Sequence, residues 1–376
     1  MKRVYIGLDV HKDSVSIAWA LAGTEEPKSY GKAPADLDSF LRVLRRILKK
    51  HQWSKEDVAL CYEAGPTGFV LARRLLHLKF DIIVVAPSKT PTRSGDRIKT
   101  DPRDARKLAR LLRAGELTAV HIPDGADEVI RDVCRARTDA VDDQTRSRFR
   151  LGSFLLRNGY HYTGKSRWGA THMSYLRELV LPDPAQKIVL EEYLQRIDIC
   201  VEQVERLEHQ MDQLLLTWDR RPFVEALQGF RGFQLIASMT VTSELGDLTR
   251  FDHPRKLMAY LGLVPGEDSS GTRRRQGPIT KCGNSHARWM LVEVARSYRL
   301  PPKVSMHLSK RQDGLSREIR ALSWKAQERL HRRYMRLHRR GLHYNKIVVA
   351  IARELVGFIW ELAQLMEQPA RTEKAA

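Results

Sequence analysis

The stretch VYIGLDVHKDSVSIAWA, residues 4–20, decides the fold. Val4, Ile6, Val15, Ile17 and Trp19 supply the alternation of two short strands, and His11-Lys12-Asp13 supplies the turn between them. Asp9 closes the first strand two residues after Gly7, among apolar neighbours, where an unpaired charge is costly. An Asp beside a turn ordinarily caps it. Partner carboxylates further along make a metal ligand the better reading of Asp9.

Those partners lie in two later segments. Residues 35–51, ADLDSFLRVLRRILKKH, space Leu37, Phe40, Leu41, Leu44 and Leu48 as a helix does. The strand VALCYEA follows and carries Glu63 near its end, where a lone Glu would ordinarily lean into solvent. The helix GPTGFVLARRLLHL and the strand FDIIVVAPS come next, then the helix DPRDARKLARLLRAGEL and a short strand LTAVHIPD. In the last helix Asp-Pro reads as an N-cap with proline behind it, and Asp104 as part of a variant capping box. Asp101 and Asp104 nevertheless share a face at i and i+3, on or beside the apolar side of Ala105, Leu108 and Leu112. Arg103, Arg106, Lys107 and Arg110 take the opposite side. A β-β…α-β-α-β-α order that begins with an antiparallel pair suits an α/β ribonuclease-H-like domain. Its four acids, Asp9, Glu63, Asp101 and Asp104, suit a hard divalent cation such as Mg²⁺.

The chain has 376 residues, 65 Lys and Arg against 45 Asp and Glu, and a formal charge of +20. That balance points to a polyanion, nucleic acid foremost. Four widely separated cysteines, Cys61, Cys134, Cys200 and Cys282, lack metal-ligand spacing and read as cytosolic thiols. Strand-like sequence begins almost at once, which argues against a signal peptide. The apolar stretch IVVAIARELVGFIWELAQL contains Arg353, Glu354 and Glu361 and reads as a core helix, so the expectation is a cytoplasmic protein. A GLDV strand also occurs in sugar-kinase-like folds, but no glycine-rich phosphate loop follows it here.

The sequence divides into four parts: a catalytic domain at 1–125, a helical region at 126–220, a second compact unit at 221–300 and a basic helical extension at 301–376. From Leu190 to Trp218 the apolar residues follow a heptad seam with one stammer, between Val204 and Leu207. A dimerising coiled coil is the preferred reading; an antiparallel helix within one chain is the other. LQGFRGFQLIASM resembles a helix-hairpin-helix, whose backbone N–H groups receive phosphates. The run RLHRRYMRLHRRGLHYNK suits nucleic-acid backbone contact and base stacking, or a solvated face. In LGLVPGEDSSGTRRRQGPITKCGNSHAR, Ser269 and Ser270 precede Gly271, with Arg273, Arg274, Arg275 and Lys281 beyond. Such cations hold a phosphate while a hydroxyl attacks it.

Together YIGLDVHK, EAGPTG, KTDPRDARKLARLL, ELGDLTRFDHPRKLMAYLGLVPGEDSSG and GPITKCGNSHAR resemble the DEDD transposases of bacterial insertion sequences. The likeness covers roughly residues 3–125 and 225–300. It implies a RuvC-like domain holding Mg²⁺ on Asp9, Glu63, Asp101 and Asp104, a coiled coil, and a mainly helical transposase domain. It makes Ser270, the residue directly before the glycine, the nucleophile. It also implies multimers acting on donor and target DNA, with composite sites and an element-encoded guide RNA. Where many relatives have Pro-Gly-Ile-Gly, this chain has Arg231-Gly232-Phe233-Gln234, a departure that bears on phosphate approach at that turn. The alternatives are a RuvC-like structure-specific endonuclease using water on branched DNA, and a nucleic-acid-binding protein without activity.

Overall fold

In a computed structural model the described residues are 3–91, 100–267 and 276–373, with side chains described to residue 367. Their contacts fall into two units, residues 1–123 and 124–376.

The first unit is a mixed five-stranded sheet. Strands β1 (Val4–Val10), β2 (Ser14–Leu21) and β3 (Lys28–Pro34) form an antiparallel meander. Helix α1 (Leu37–His51) leads to β4 (Val58–Glu63), and α2 (Val70–His77) leads to β5 (Asp81–Val85). The sheet order is β3-β2-β1-β4-β5, with β1, β4 and β5 parallel. The β1–β2 pair matches the expected hairpin, His11 N–H bonding to the Ser14 carbonyl. β3 escapes a sequence reading because KSYGKAP is polar, carries Gly31 at φ 121° and sits at a sheet edge. LTAVHIPD, expected as a strand, is not one: Ala119 makes a single isolated bridge to Val85, while Val120 and Ile122 pack on the core.

Helix α3 (Asp101–Ala114) lies on β1 and β2, burying Ala105, Leu108, Ala109 and Leu111. Its end is set by Gly115 in the left-handed region, whose N–H reaches the Leu111 and Leu112 carbonyls. Gly7 makes this packing possible. A Cβ there would stand 2.2 Å from the Ala105 carbonyl oxygen and 2.5 Å from the Ala109 nitrogen, so only glycine lets the helix backbone lie directly on the strand.

The second unit is almost wholly helical. Helices α4 (Gly125–Arg157) and α6 (Pro184–Leu215) run along one another, with α5 (Ala170–Glu178) against their far end. The seam residues Leu190, Leu194, Ile197 and Met211 are buried within this chain, with Leu151, Phe154 and Leu155 of α4 in the same cluster as the first three. Partnership with α4, rather than with a second copy, therefore takes up much of the heptad seam.

Helices α7 (Arg221–Gln228), α8 (Leu235–Leu245) and α9 (Pro254–Tyr260) follow, then the two-stranded β6 (Pro265–Glu267) and β7 (Gln276–Ile279). Helices α10 (Ser285–Ala295), α11 (Met306–Gln312), α12 (Arg317–Arg339) and α13 (Tyr344–Glu373) complete the unit. Residues after 301, set apart above as an extension, share one core with the rest: Leu330, Ile351, Leu355 and Ile359 join Phe230, Val241 and Leu291. Tyr334, a candidate for base stacking, is a core residue, and Arg329 and Arg333 pair with Glu354. No helix among the described residues is long and apolar enough to cross a membrane.

Candidate functional site

The site in the first unit forms where strand ends meet the start of a helix. Asp9 and Glu63 directly follow Leu8 and Tyr62, the last paired residues of two adjacent parallel strands. Helix α3 delivers Asp101 and Asp104 in its first turn. Its N-cap is Thr100, which makes no side-chain capping bond, so Asp101 is not the cap that Asp-Pro suggested. The helix begins on backbone contacts, Arg103 and Asp104 N–H to the Thr100 carbonyl, which leaves both carboxylates outside the capping geometry. Acids in a first turn also complement the helix dipole.

The ligand atoms of Asp9, His11 and Asp101 lie within 4.8 Å of one another, the one such cluster among the described residues. His11 Nε2 is 3.0 Å from Asp9 Oδ2 and 3.6 Å from Asp101 Oδ1. Lys32, from the edge strand β3, donates to Asp101 Oδ2 at 2.8 Å. Burial raises the Asp9 carboxyl above its ordinary range; His11 opposes this, and the charges of Asp104 and Asp101 add to it. Asp101 is held below its range by the Lys32 hydrogen bond, against a smaller effect of burial. Glu63 is exposed and stands outside the cluster, and Asp104 reaches Asp9 through its charge rather than as a member. Sequence reasoning missed His11 and Lys32. The Asp-x-His spacing of the first strand was the available signal for His11; nothing local marks Lys32, which is brought in by sheet order.

In the second unit, Ser270, Ser269, Arg273, Arg274 and Arg275 lie outside the described residues. The strands on either side, β6 and β7, are paired. Lys281 is exposed at φ 56°, and its N–H bonds to the Gly262 carbonyl. Next to it, Gly283 at φ 72° lies so close to the Tyr260 carbonyl that a Cβ would stand 1.9 Å from its oxygen. The segment after β7 is thereby pressed against the end of α9. Asn284 then caps α10 and also donates to Glu244 Oε2 at 2.6 Å.

Glu244 is buried and held by Arg135 through a bidentate pair at 2.7 and 3.0 Å, with Arg131 at 3.4 Å. Burial opposes its ionisation more than any single contact favours it, yet those hydrogen bonds and charges together keep the carboxyl below its ordinary range. His286 borders a recess with Arg135, Thr138 and Asn284, and burial lowers its pKa. These residues were not singled out from sequence, because their partners lie between 40 and 148 positions apart.

A model described as the transposase IS116/IS110/IS902 family matches residues 224–305, and a DEDD transposase model matches residues 6–158. A putative transposase of Sinorhizobium fredii, y4qE, is 40% identical over 368 residues, covering 98% of this chain and 90% of its own length. The chain belongs to this transposase family. A transposase for insertion sequence element IS1533 of Leptospira borgpetersenii is 27% identical, covering 89% of this chain and 97% of its own. One for element IS1111A of Coxiella burnetii is 28% identical over 143 residues, 38% of this chain and 33% of its own.

In this transposase the DEDD match spans β1 through α4, and thus Asp9, Glu63, Asp101 and Asp104. The donor set fits a divalent cation. Carboxylate oxygens and one imidazole converge, and Asp9, destabilised as an anion by burial and by neighbouring acids, is a group that a cation relieves.

The glycine of the Arg231-Gly232-Phe233-Gln234 turn has an internal duty. At φ 85° a Cβ on Gly232 would meet the Ser297 Oγ at 2.6 Å and the Val294 carbonyl at 2.8 Å. Phe233 is fully buried beside it.

Proposed function

We propose that this transposase excises and inserts its own insertion sequence by Mg²⁺-assisted strand cleavage at the acid cluster, with Ser270 as nucleophile and an element-encoded RNA as guide. The observation that carries the metal-assisted part is the convergence of Asp9, His11 and Asp101 at the end of the central strand of a ribonuclease-H-like sheet, with the charge of Asp104 felt at Asp9. The DEDD-type domain points the same way, towards a divalent metal.

Asp9, Asp101 and Asp104 hold the cation, with Glu63 completing the set from the neighbouring strand. A bound Mg²⁺ supplies alignment of the phosphodiester and charge stabilisation for its leaving oxygen. His11 fixes the Asp9 carboxylate through the 3.0 Å contact and keeps one of its oxygens oriented. Lys32 neutralises Asp101 on its outer side. The Ser270 hydroxyl adds to the phosphorus and the bond to the departing strand breaks. The serine proton ends on the oxygen that leaves. Arg273, Arg274, Arg275 and Lys281 counter the charge gathering on the phosphate. Guide RNA and assembly into a multimer rest on the family likeness.

Two substitutions test the site. Asp9→Ala and Asp104→Ala should each lower Mg²⁺-dependent cleavage by at least about 100-fold, the scale of a lost transition-state contact, with thermal unfolding and DNA affinity retained. Wild-type cleavage by folded Asp104→Ala protein would reject its role as a ligand. Ser270→Ala should abolish the covalent protein–DNA adduct seen by mass spectrometry, whereas Ser269→Ala should keep it. Cleavage that persists in Ser270→Ala without any adduct would favour the water-using RuvC-like endonuclease.

A further inference from the structure

A pocket of about 410 Å³ opens on the second unit where the C-terminal half of α4 meets residues 160–168 and α5. Its size falls within the roughly 300–1,000 Å³ of small-ligand sites. Among the described residues its lining holds two arginines, two histidines and four aromatic side chains, and no acid. That composition differs from a satellite core, which would be closed and apolar, and from a solvated helix face, which would mix both signs of charge.

Arg148 is the centre of the pocket. Its guanidinium lies over the Trp168 ring at 5.6 Å, and its Nε is buried without a hydrogen-bond partner among the described residues. Burial lowers its pKa, and no carboxylate among the described residues offsets that effect. A buried donor on an unpaired cation is a cost to the free protein that an anionic ligand removes.

The backbone around it is held in an uncommon form. Trp168 has φ 68°, a conformation rare for a bulky side chain, and its N–H donates to His172 Nδ1 at 2.9 Å. The His172 ring lies tilted against Tyr162, with centroids 4.4 Å apart, and sits edge-on to Trp168, so the aromatic wall is fixed in advance. Strain of this kind persists where the surroundings over-determine it, and it gathers at ligand clamps. Phe149, 73% exposed on α4, stands at the mouth as an apolar plate with no partner ring among the described residues.

Flat aromatic faces next to unpaired guanidinium groups select a ligand that is flat at one end and anionic at the other. We infer that this pocket receives one unpaired nucleotide of a single-stranded nucleic acid. The base enters between Phe149 and the Tyr162–Trp168 wall, and the phosphate sits on Arg148 and Arg167. The proposal borrows from the proposed function only the class of ligand, nucleic acid; the residues that line the pocket are other than the four acids. RNA and DNA strands share this chemistry, and the 2′-hydroxyl is what would separate them.

The test uses the full chain with three fluorescein-labelled probes: an RNA strand, a DNA strand of the same sequence, and the corresponding DNA duplex. Arg148→Gln and Phe149→Ala should each weaken single-strand binding by about tenfold, the scale of a lost stacking or charge contact, while leaving duplex affinity unchanged. Phe149 is exposed, so its variant keeps the test valid if Arg148→Gln fails to fold. Strands carrying 4-thiouridine or 4-thiothymidine should cross-link to Tyr160, Tyr162 or Trp168. Unaltered single-strand affinity in the folded Phe149→Ala protein, or cross-links confined to other segments, would overturn the proposal. So would a change in sedimentation mass without a change in strand binding, since the pocket would then be a contact between copies. Duplex binding without any strand binding removes the pocket alone; loss of all binding removes the nucleic-acid reading with it.

Discussion

At the level of single residues, the position of the acid cluster depends on an atom that is absent. Gly7 lets α3 lie on β1, and α3 carries Asp101 and Asp104 towards Asp9. Gly7→Ala should therefore shift the helix, costing about 1–3 kcal/mol in stability and more in cleavage, since catalysis responds to displacements near 1 Å. Chemical denaturation and Mg²⁺-dependent cleavage measured on the same preparation check this. Full activity in a destabilised protein would mean that the helix position is not what sets the acids. The four acids were singled out in the sequence because carboxylates stand out in apolar strands and at the start of a helix, and of them Asp9 and Asp101 meet in the cluster. His11 and Lys32 were not, because a His in a turn and a Lys on an edge strand are ordinary there. Only the fold brings Lys32 to an acid 69 positions away.

At the level of elements, periodic segments were read well and pairing partners poorly. Heptad spacing in α6 identifies a helix with a buried seam, yet spacing is silent on whether the partner is α4 or another copy. Ile197 is 1% exposed and Ile199 47%. Ile197→Glu should destabilise the second unit by about 3 kcal/mol or more, whereas Ile199→Glu should stay within about 0.5 kcal/mol. Circular dichroism melts separate the two, and a stable Ile197→Glu protein that only sediments as a smaller assembly would return the seam to an intermolecular role. The Glu244 network joins α4, α8 and α10 in a similar way. Its depressed pKa means that folding favours the ionised carboxyl. That contribution is present at neutral pH and is lost as pH falls from the ordinary carboxylate range through the lowered folded value. Glu244→Gln should cost about 1–3 kcal/mol at pH 7, Arg135 being half-exposed and screened, and less at pH 4. Urea melts at both pH values test the sign, and an equal cost at both would exclude ionisation as the cause. β3 and the isolated bridge at Ala119 show the opposite limit, since polar edge segments reveal little through alternation.

At the level of the whole molecule, the basic balance and the family motifs pointed to nucleic acid before any fold was known, while the division into parts was not visible in composition. Charge rises after residue 300, and a charged run reads as an appendage; the apolar face of α13 shows that it is core. Removing residues 344–376 should thus leave the second unit without cooperative unfolding, while the sheet of residues 1–123, which has its own core, still melts as a unit. Calorimetry of the shortened chain decides this: a cooperative second transition would make α13 dispensable. The same arrangement has a consequence for biosynthesis. α13 is translated after every helix it covers, so α7 to α10 emerge with their apolar faces open and wait for a partner still to be made. The acid-bearing sheet, complete by residue 123, is free to fold first. A nascent chain therefore carries a finished acid cluster well before the second unit is finished, and a ribosome that stalls before residue 344 releases a product exposed to proteases and chaperones.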